Sequence, residues 1–87
     1  MTVHIPADVL TAARTGDPEA TKQILDAMEP RITEMARDRA NRTGGDFDEL
    51  AHTARIAVWE LMGYWDGDPG EFVTHATRAC EEALREV

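Results

Sequence analysis

The chain has 87 residues, is 43% hydrophobic and carries a net charge of −8, which fits one small domain over residues 1–87 with a modest core. Its single cysteine, Cys80, excludes an intramolecular disulfide, and no apolar run reaches the roughly 18 residues of a membrane-spanning helix. We therefore expect a soluble, cytoplasmic protein.

The charge is unevenly distributed along the chain. Residues 1–45 contain six basic and seven acidic side chains (net −1), whereas residues 46–87 contain three basic and ten acidic ones (net −7). DNA-binding proteins draw much of their affinity from cations that neutralise phosphates. The second half therefore argues against autonomous DNA binding and favours a partner with a basic protein surface.

The first half predicts two helices. A short helix is expected over 7–15, and a long one over 18–42. Asp17 stands at the N-cap of the long helix and Pro18 at its first position, which is the usual order of these residues at a helix start. Pro30 lacks an amide proton, so we expect it to break or bend this helix.

The second half predicts two more helices. Asp46 followed by Glu49 resembles a capping box and opens a helix over 47–65, whose apolar residues recur at helical spacing. The turn GDPG at 67–70 separates it from a last helix over 70–85. No strand-like alternation occurs, so the sequence predicts an all-α protein, a small four-helix bundle.

One apolar face of each predicted helix should form the core. We expect these core residues: Leu10, Ile24, Leu25, Ile32, Met35, Leu50, Val58, Leu61, Phe72 and Ala76.

Three stretches of the sequence are similar to a known family. They are ADVLTAARTGDPEATKQILDAMEPRITEMARDRA, DFDELAHTARIAVWELMGYWD and FVTHATRACEEAL, which lie within residues 7–86. They resemble the second conserved region of bacterial σ70-type sigma factors, the promoter-specificity subunits of RNA polymerase. The positions that match the family's motifs are Asp46, Leu50, Ala57, Val58, Asp66, Phe72, Thr74, Ala76, Ala83 and Leu84. The resemblance implies a sigma-region-2-like helical fold.

In this family the helix equivalent to 46–66 docks on a coiled coil in the clamp of the polymerase β′ subunit. Carried over by position, the resemblance and the helical spacing give these candidate partner-binding residues: Glu49, His52, Thr53, Arg55, Ile56 and Trp59. Trp59 lies at the border of the apolar stripe, so it is either an interface anchor or part of the core. Arg55 adds a positive charge to a face that should meet basic residues.

The last helix departs from the family, which melts promoter DNA with exposed aromatic residues there. His75, Arg78 and Ala79 occupy the aromatic positions, and the acids Glu81 and Glu82 follow. Base stacking on an aromatic ring contributes roughly 1 to 3 kcal/mol per base, so we expect promoter melting to be lost. We also expect the family's separate promoter-reading domain to be missing.

Basic residues leave one nucleic-acid alternative open. The candidate nucleic-acid contacts are Arg37, Arg39, Arg42, His75 and Arg78. If the basic side chains of residues 1–45 line one exposed stripe, they can still contact a nucleic-acid backbone. If they pair with neighbouring acids, they cannot.

No catalytic or cofactor-binding motif is present, so we expect no enzyme activity and no cofactor. His52, His75 and Cys80 lack the spacing of a zinc site. The sequence thus favours a protein that engages RNA polymerase or a sigma-binding regulator. The alternatives are a helical adaptor or oligomerisation module unrelated to polymerase, and one part of a split sigma factor. The oligomeric state stays open.

Overall fold

A computed structural model describes residues 5–86 of the chain and contains four α-helices. They are α1 (Ala7–Arg14), α2 (Pro18–Thr43), α3 (Phe47–Tyr64) and α4 (Phe72–Arg85), with a short 3-10 turn over Pro69–Glu71 before α4. Residues 5–86 contain no strand. The prediction of an all-α helical bundle is confirmed. None of the helices in this range combines the length and the apolarity needed to cross a membrane.

Side-chain caps fix the starts of α2 and α3. The carboxylate of Asp17 accepts hydrogen bonds from the amides of Glu19 and Ala20, at 3.0 and 3.4 Å. Asp46 accepts from the amide of Asp48 at 2.8 Å. Each cap satisfies an amide that has no partner within the first turn, so the positions of these two aspartates determine where the helices begin.

Pro30 does not interrupt α2. The helix runs continuously from Pro18 to Thr43, so a break at Pro30 is wrong. A proline inside a helix costs about 3 kcal/mol because one backbone hydrogen bond is missing and the ring is crowded. Pro30 is exposed, and Met28 and Ile32 beside it are completely buried. Packing of the buried face thus offsets the local cost.

The core lies where the four helices meet. Of the ten predicted core residues, eight are buried, and Leu25 and Met35 are half-buried at its edge. Leu25 follows the buried Ile24 directly, and one residue turns a helix by about 100°, which places Leu25 on the flank of α2. The fully enclosed residues that were not predicted are mostly small or flexible: Met28, Ala36, Ala54 and Cys80.

Contacts between α2 and α3 show that the two helices run antiparallel. Near the middle of α2, Glu29 binds Arg55 near the middle of α3. Later in α2, Arg37 lies over the ring of Phe47, at the start of α3, at 5.9 Å. Increasing residue number in α2 thus corresponds to decreasing number in α3.

Trp65 joins three helices at the end of α3. Its ring packs edge-on against Phe72 at 5.7 Å and lies 4.9 Å from the ring of His75, both on α4. Its carbonyl oxygen accepts a hydrogen bond from Arg14 of α1 at 3.2 Å. These contacts hold α1 and α4 against the C-terminal end of α3.

Candidate protein-binding surface

The large hydrophobic side chains that are exposed within residues 5–86 all lie on α3. Ile56 is 40% exposed, Trp59 60% and Tyr64 70%. Side chains of this size are usually buried at least in part, so their clustering on one helix marks this helix as a candidate interface.

Four of the predicted partner-binding residues lie on the outer face of α3. Glu49, His52, Ile56 and Trp59 are all exposed and are spaced by three, four and three residues. Residues at this spacing neighbour one another on a helix surface. They form one band, which we call the outer band of α3. Trp59 is therefore not a core residue, and the border position predicted for it matches its exposure.

The other two predicted residues have partners within the protein. The hydroxyl of Thr53 donates to the carbonyl of Glu49 at 3.0 Å. Arg55 turns towards α2, where its Nε donates to Glu29 at 3.1 Å and its Nη2 donates to the second carboxylate oxygen. The hydrogen bonds from Arg55 lower the pKa of Glu29 below its ordinary value. Arg55 thus links α3 to α2. The spacing of residues along α3 cannot reveal that Glu29 is its partner.

Several basic residues of the first half are already engaged. Lys22 pairs with Asp26, and Arg42 pairs with Asp38, each at 3.3 Å and one helical turn apart. Arg14 donates to a backbone carbonyl at the end of α3. Local pairing therefore reduces the positive potential that a nucleic-acid backbone would meet.

The remaining arginines do not line one stripe. Arg37 and Arg39 are two residues apart, which places them about 200° apart around α2. Arg37 lies over Phe47 of α3, whereas Arg39 is half-buried. Arg31 borders a shallow depression that it shares with Thr77 of α4.

The two other candidate nucleic-acid residues lie on α4. The ring of His75 is tilted against the ring of Trp65, and Arg78 is exposed one turn further along. Glu81 and Glu82 are exposed just beyond Arg78. The outward surface of α4 is therefore mixed in charge.

A groove of about 980 Å³ lies between the first half of α2 and the second half of α3. Ala13, Leu25 and Met62 contribute its apolar lining, and the exposed rings of Trp59 and Tyr64 stand at its edge. Sequence reasoning missed this groove. Its one signal in the sequence is Leu25, an apolar residue that flanks the core face of α2.

Residues 5–86 contain no cluster of three or more side chains suited to a metal ion. His52 is exposed on α3, whereas Cys80 is completely buried and its thiol donates to the carbonyl of Ala54 at 3.4 Å. Burial raises the pKa of Cys80 to about 11. The thiol is therefore protonated at neutral pH and poorly suited to act as a nucleophile.

Comparison with known proteins gives no relative: no protein-family model matches the chain, and neither a curated protein nor a solved structure does.

Proposed function

We propose that this chain is a protein-binding domain of the transcription apparatus, similar to region 2 of sigma factors, that holds its partner with the outer band of α3. The observation that carries the proposal is the exposure of Trp59, at 60%, in the middle of a well-formed helix. In this proposal the domain acts in the cytoplasm by occupying its partner, without melting promoter DNA.

The surroundings of Trp59 suit a binding anchor. Ile56 extends the apolar surface towards the start of the helix, and His52 and Glu49 continue it as a polar rim. Protein interfaces commonly have an aromatic residue at the centre, where truncating the side chain weakens binding most. Polar residues surround it.

Charge favours a basic partner such as the clamp of RNA polymerase or a sigma-binding regulator. The half of the chain that contains α3 has a net charge of −7, by the count of three basic and ten acidic residues. Arg55 would oppose a basic surface, but its charge is balanced by Glu29. The ion pair thus removes the one unfavourable charge that the sequence predicts on this face.

The test is binding to the isolated coiled coil of the β′ clamp and to core polymerase, measured by calorimetry or fluorescence anisotropy. We expect Trp59→Ala to weaken binding by at least about 2 kcal/mol, which is roughly 30-fold in Kd. Arg78→Ala, on α4, is the matched control and should bind as the wild type does. If Trp59→Ala leaves binding unchanged, the outer band does not hold the partner.

The absence of DNA binding is the part of the proposal that can fail separately. We expect no binding to fork or single-stranded promoter DNA at physiological salt, because the basic residues are divided between faces and α4 lacks the stacking aromatics. Sub-micromolar affinity in an anisotropy titration would instead favour one part of a split sigma factor.

Self-association is the second candidate function. The observation that favours it is the exposure of Ile56, Trp59 and Tyr64 on a single helix, which a second copy of the chain could cover. Sedimentation velocity over a wide concentration range distinguishes self-association from binding to a different protein. A dimer that Trp59→Ala dissociates would make the chain an oligomerisation module.

A further inference from the structure

We infer that Glu29, on α2, determines the electrostatic potential of the outer band of α3 and thereby favours a basic partner. Glu29 does so as a positioning residue, because it holds the guanidinium of Arg55 against α2 and away from the band. The inference rests on the proposed function and extends it to a residue that lies outside the binding helix.

Arg55 is the only lysine or arginine of α3, which contains three acidic residues. Glu49 belongs to the outer band, and Asp48 and Glu60 lie on its two sides. All three acids are exposed, and none forms an ion pair with another of residues 5–86. While Arg55 is neutralised on α2, the band and its flanks thus present these negative charges to a partner, and a basic surface complements them.

Arg55 is close enough to the outer band to change its charge. It lies three residues after His52 and four residues before Trp59, and residues at these spacings neighbour each other on a helix surface. An arginine side chain is long and flexible, and its guanidinium is attracted to the face of an indole ring. An Arg55 without a partner on α2 can therefore extend over Trp59, where it would repel a basic partner.

Two hydrogen bonds keep Arg55 in its present direction. Its Nε donates to one carboxylate oxygen of Glu29 at 3.1 Å and its Nη2 donates to the other, an arrangement that fixes the plane of the guanidinium. The nearby acids are less suited to hold it. Asp26, about one turn before Glu29, is already paired with Lys22. Asp48 lies about two helical turns before Arg55, or about 10 Å along the helix axis.

The ion pair lies at the surface, with each side chain 40% exposed, so substitutions at both positions leave the core intact. The chains to compare are the wild type, Glu29→Gln, Arg55→Gln and the double variant. Asp26→Asn is the matched control, because it removes the same charge from α2, about one turn away, without releasing Arg55.

The first experiment measures the potential at the outer band without a partner. A cationic and an anionic nitroxide of equal size are added separately to the full chain, and the relaxation enhancement of each amide proton reports the local concentration of each probe. Glu29→Gln should raise the anionic-to-cationic ratio at the amides of Ile56 and Trp59 at least about twofold at low salt, because the charge of Arg55 moves onto the band. The same substitution in the Arg55→Gln background should produce less than about half of this change, as should Asp26→Asn alone. Equal changes in the two backgrounds, or an equal change with Asp26→Asn, would overturn the inference.

The second experiment measures Kd for the isolated coiled coil of the β′ clamp. Glu29→Gln should weaken binding at least about fivefold at low salt and less at high salt, because salt screens the exposed charge of Arg55. The double variant should bind within about twofold of the wild type. A purely structural effect of Glu29 would persist in the double variant, which also lacks the link between α2 and α3. Failure of this rescue would therefore overturn the inference.

The two experiments separate failure of the inference from failure of the proposed function. If the wild type does not bind the clamp, the proposed function fails, and the nitroxide ratios still test whether Glu29 controls the charge of the band. If the wild type binds and Glu29→Gln changes neither the ratios nor Kd, the inference alone fails.

Discussion

The two faces of α3 should respond differently to truncation, and Trp59→Ala and Leu61→Ala compare them directly. A tryptophan side chain presents roughly 250 Å², so with Trp59 60% exposed about 100 Å² is buried. At about 25 cal/mol per Å² this burial contributes roughly 2.5 kcal/mol, and a compact denatured state lowers it to roughly 2. Alanine has the higher helix propensity, by about 0.5 kcal/mol. We therefore expect Trp59→Ala to lower the free energy of unfolding by about 1–1.5 kcal/mol.

Leu61 lies on the opposite, core-facing side and is only 8% exposed. Leu61→Ala leaves a cavity and should cost about 2–5 kcal/mol. Urea titrations followed by far-ultraviolet circular dichroism measure both variants with the same signal. If Trp59→Ala destabilises the fold as much as Leu61→Ala does, Trp59 is a structural residue. The hypothesis that α3 has one core face and one separate binding face is then refuted.

Three further predictions concern the ion pair, the exposed glycine and the thiol. The pKa of Glu29 is lowered from 4.5 in the folded protein, so its charged form stabilises the fold above that pH and the contribution is lost as the pH falls below it. Glu29→Gln should therefore be less stable than the wild type near about pH 7, with the difference shrinking towards about pH 3 in urea titrations. Gly63→Ala should stabilise the protein by about 0.5–1 kcal/mol, since Gly63 is helical and unobstructed; a lower melting temperature would contradict this. Cys80 should not react with an aromatic disulfide reagent in the native state and should react fully in urea, because it is buried and its pKa is raised to about 11.

Features that depend on neighbouring residues in the chain were predictable from the sequence. Asp17 and Pro18 mark the start of α2 because a cap requires only the next few amides. The core face of α3 follows from the spacing of Leu50, Val58 and Leu61, and all three are buried. The position of Trp59 at the edge of that stripe allowed either an interface or a core role, and its side chain is exposed.

Features that depend on two distant segments were not predictable in the same way. Arg55 was assigned to a partner, but its guanidinium meets Glu29, 26 residues earlier in the chain. The groove needs a flank of α2 beside a flank of α3, and neither flank shows a distinctive pattern by itself. Pro30 was expected to break or bend α2, and the helix does not break there, because local propensity takes no account of the packing that holds Met28 and Ile32 in the core.

The unlike surroundings of the two tryptophans give this small domain a pair of built-in optical probes. A water-soluble collisional quencher such as acrylamide meets the exposed indole of Trp59 freely, whereas the indole of Trp65 is shielded by Phe72 and His75. The emission therefore divides into an accessible and a shielded component without any label. The first reports whether the outer side of α3 is covered, and the second reports whether the junction of α1, α3 and α4 is intact.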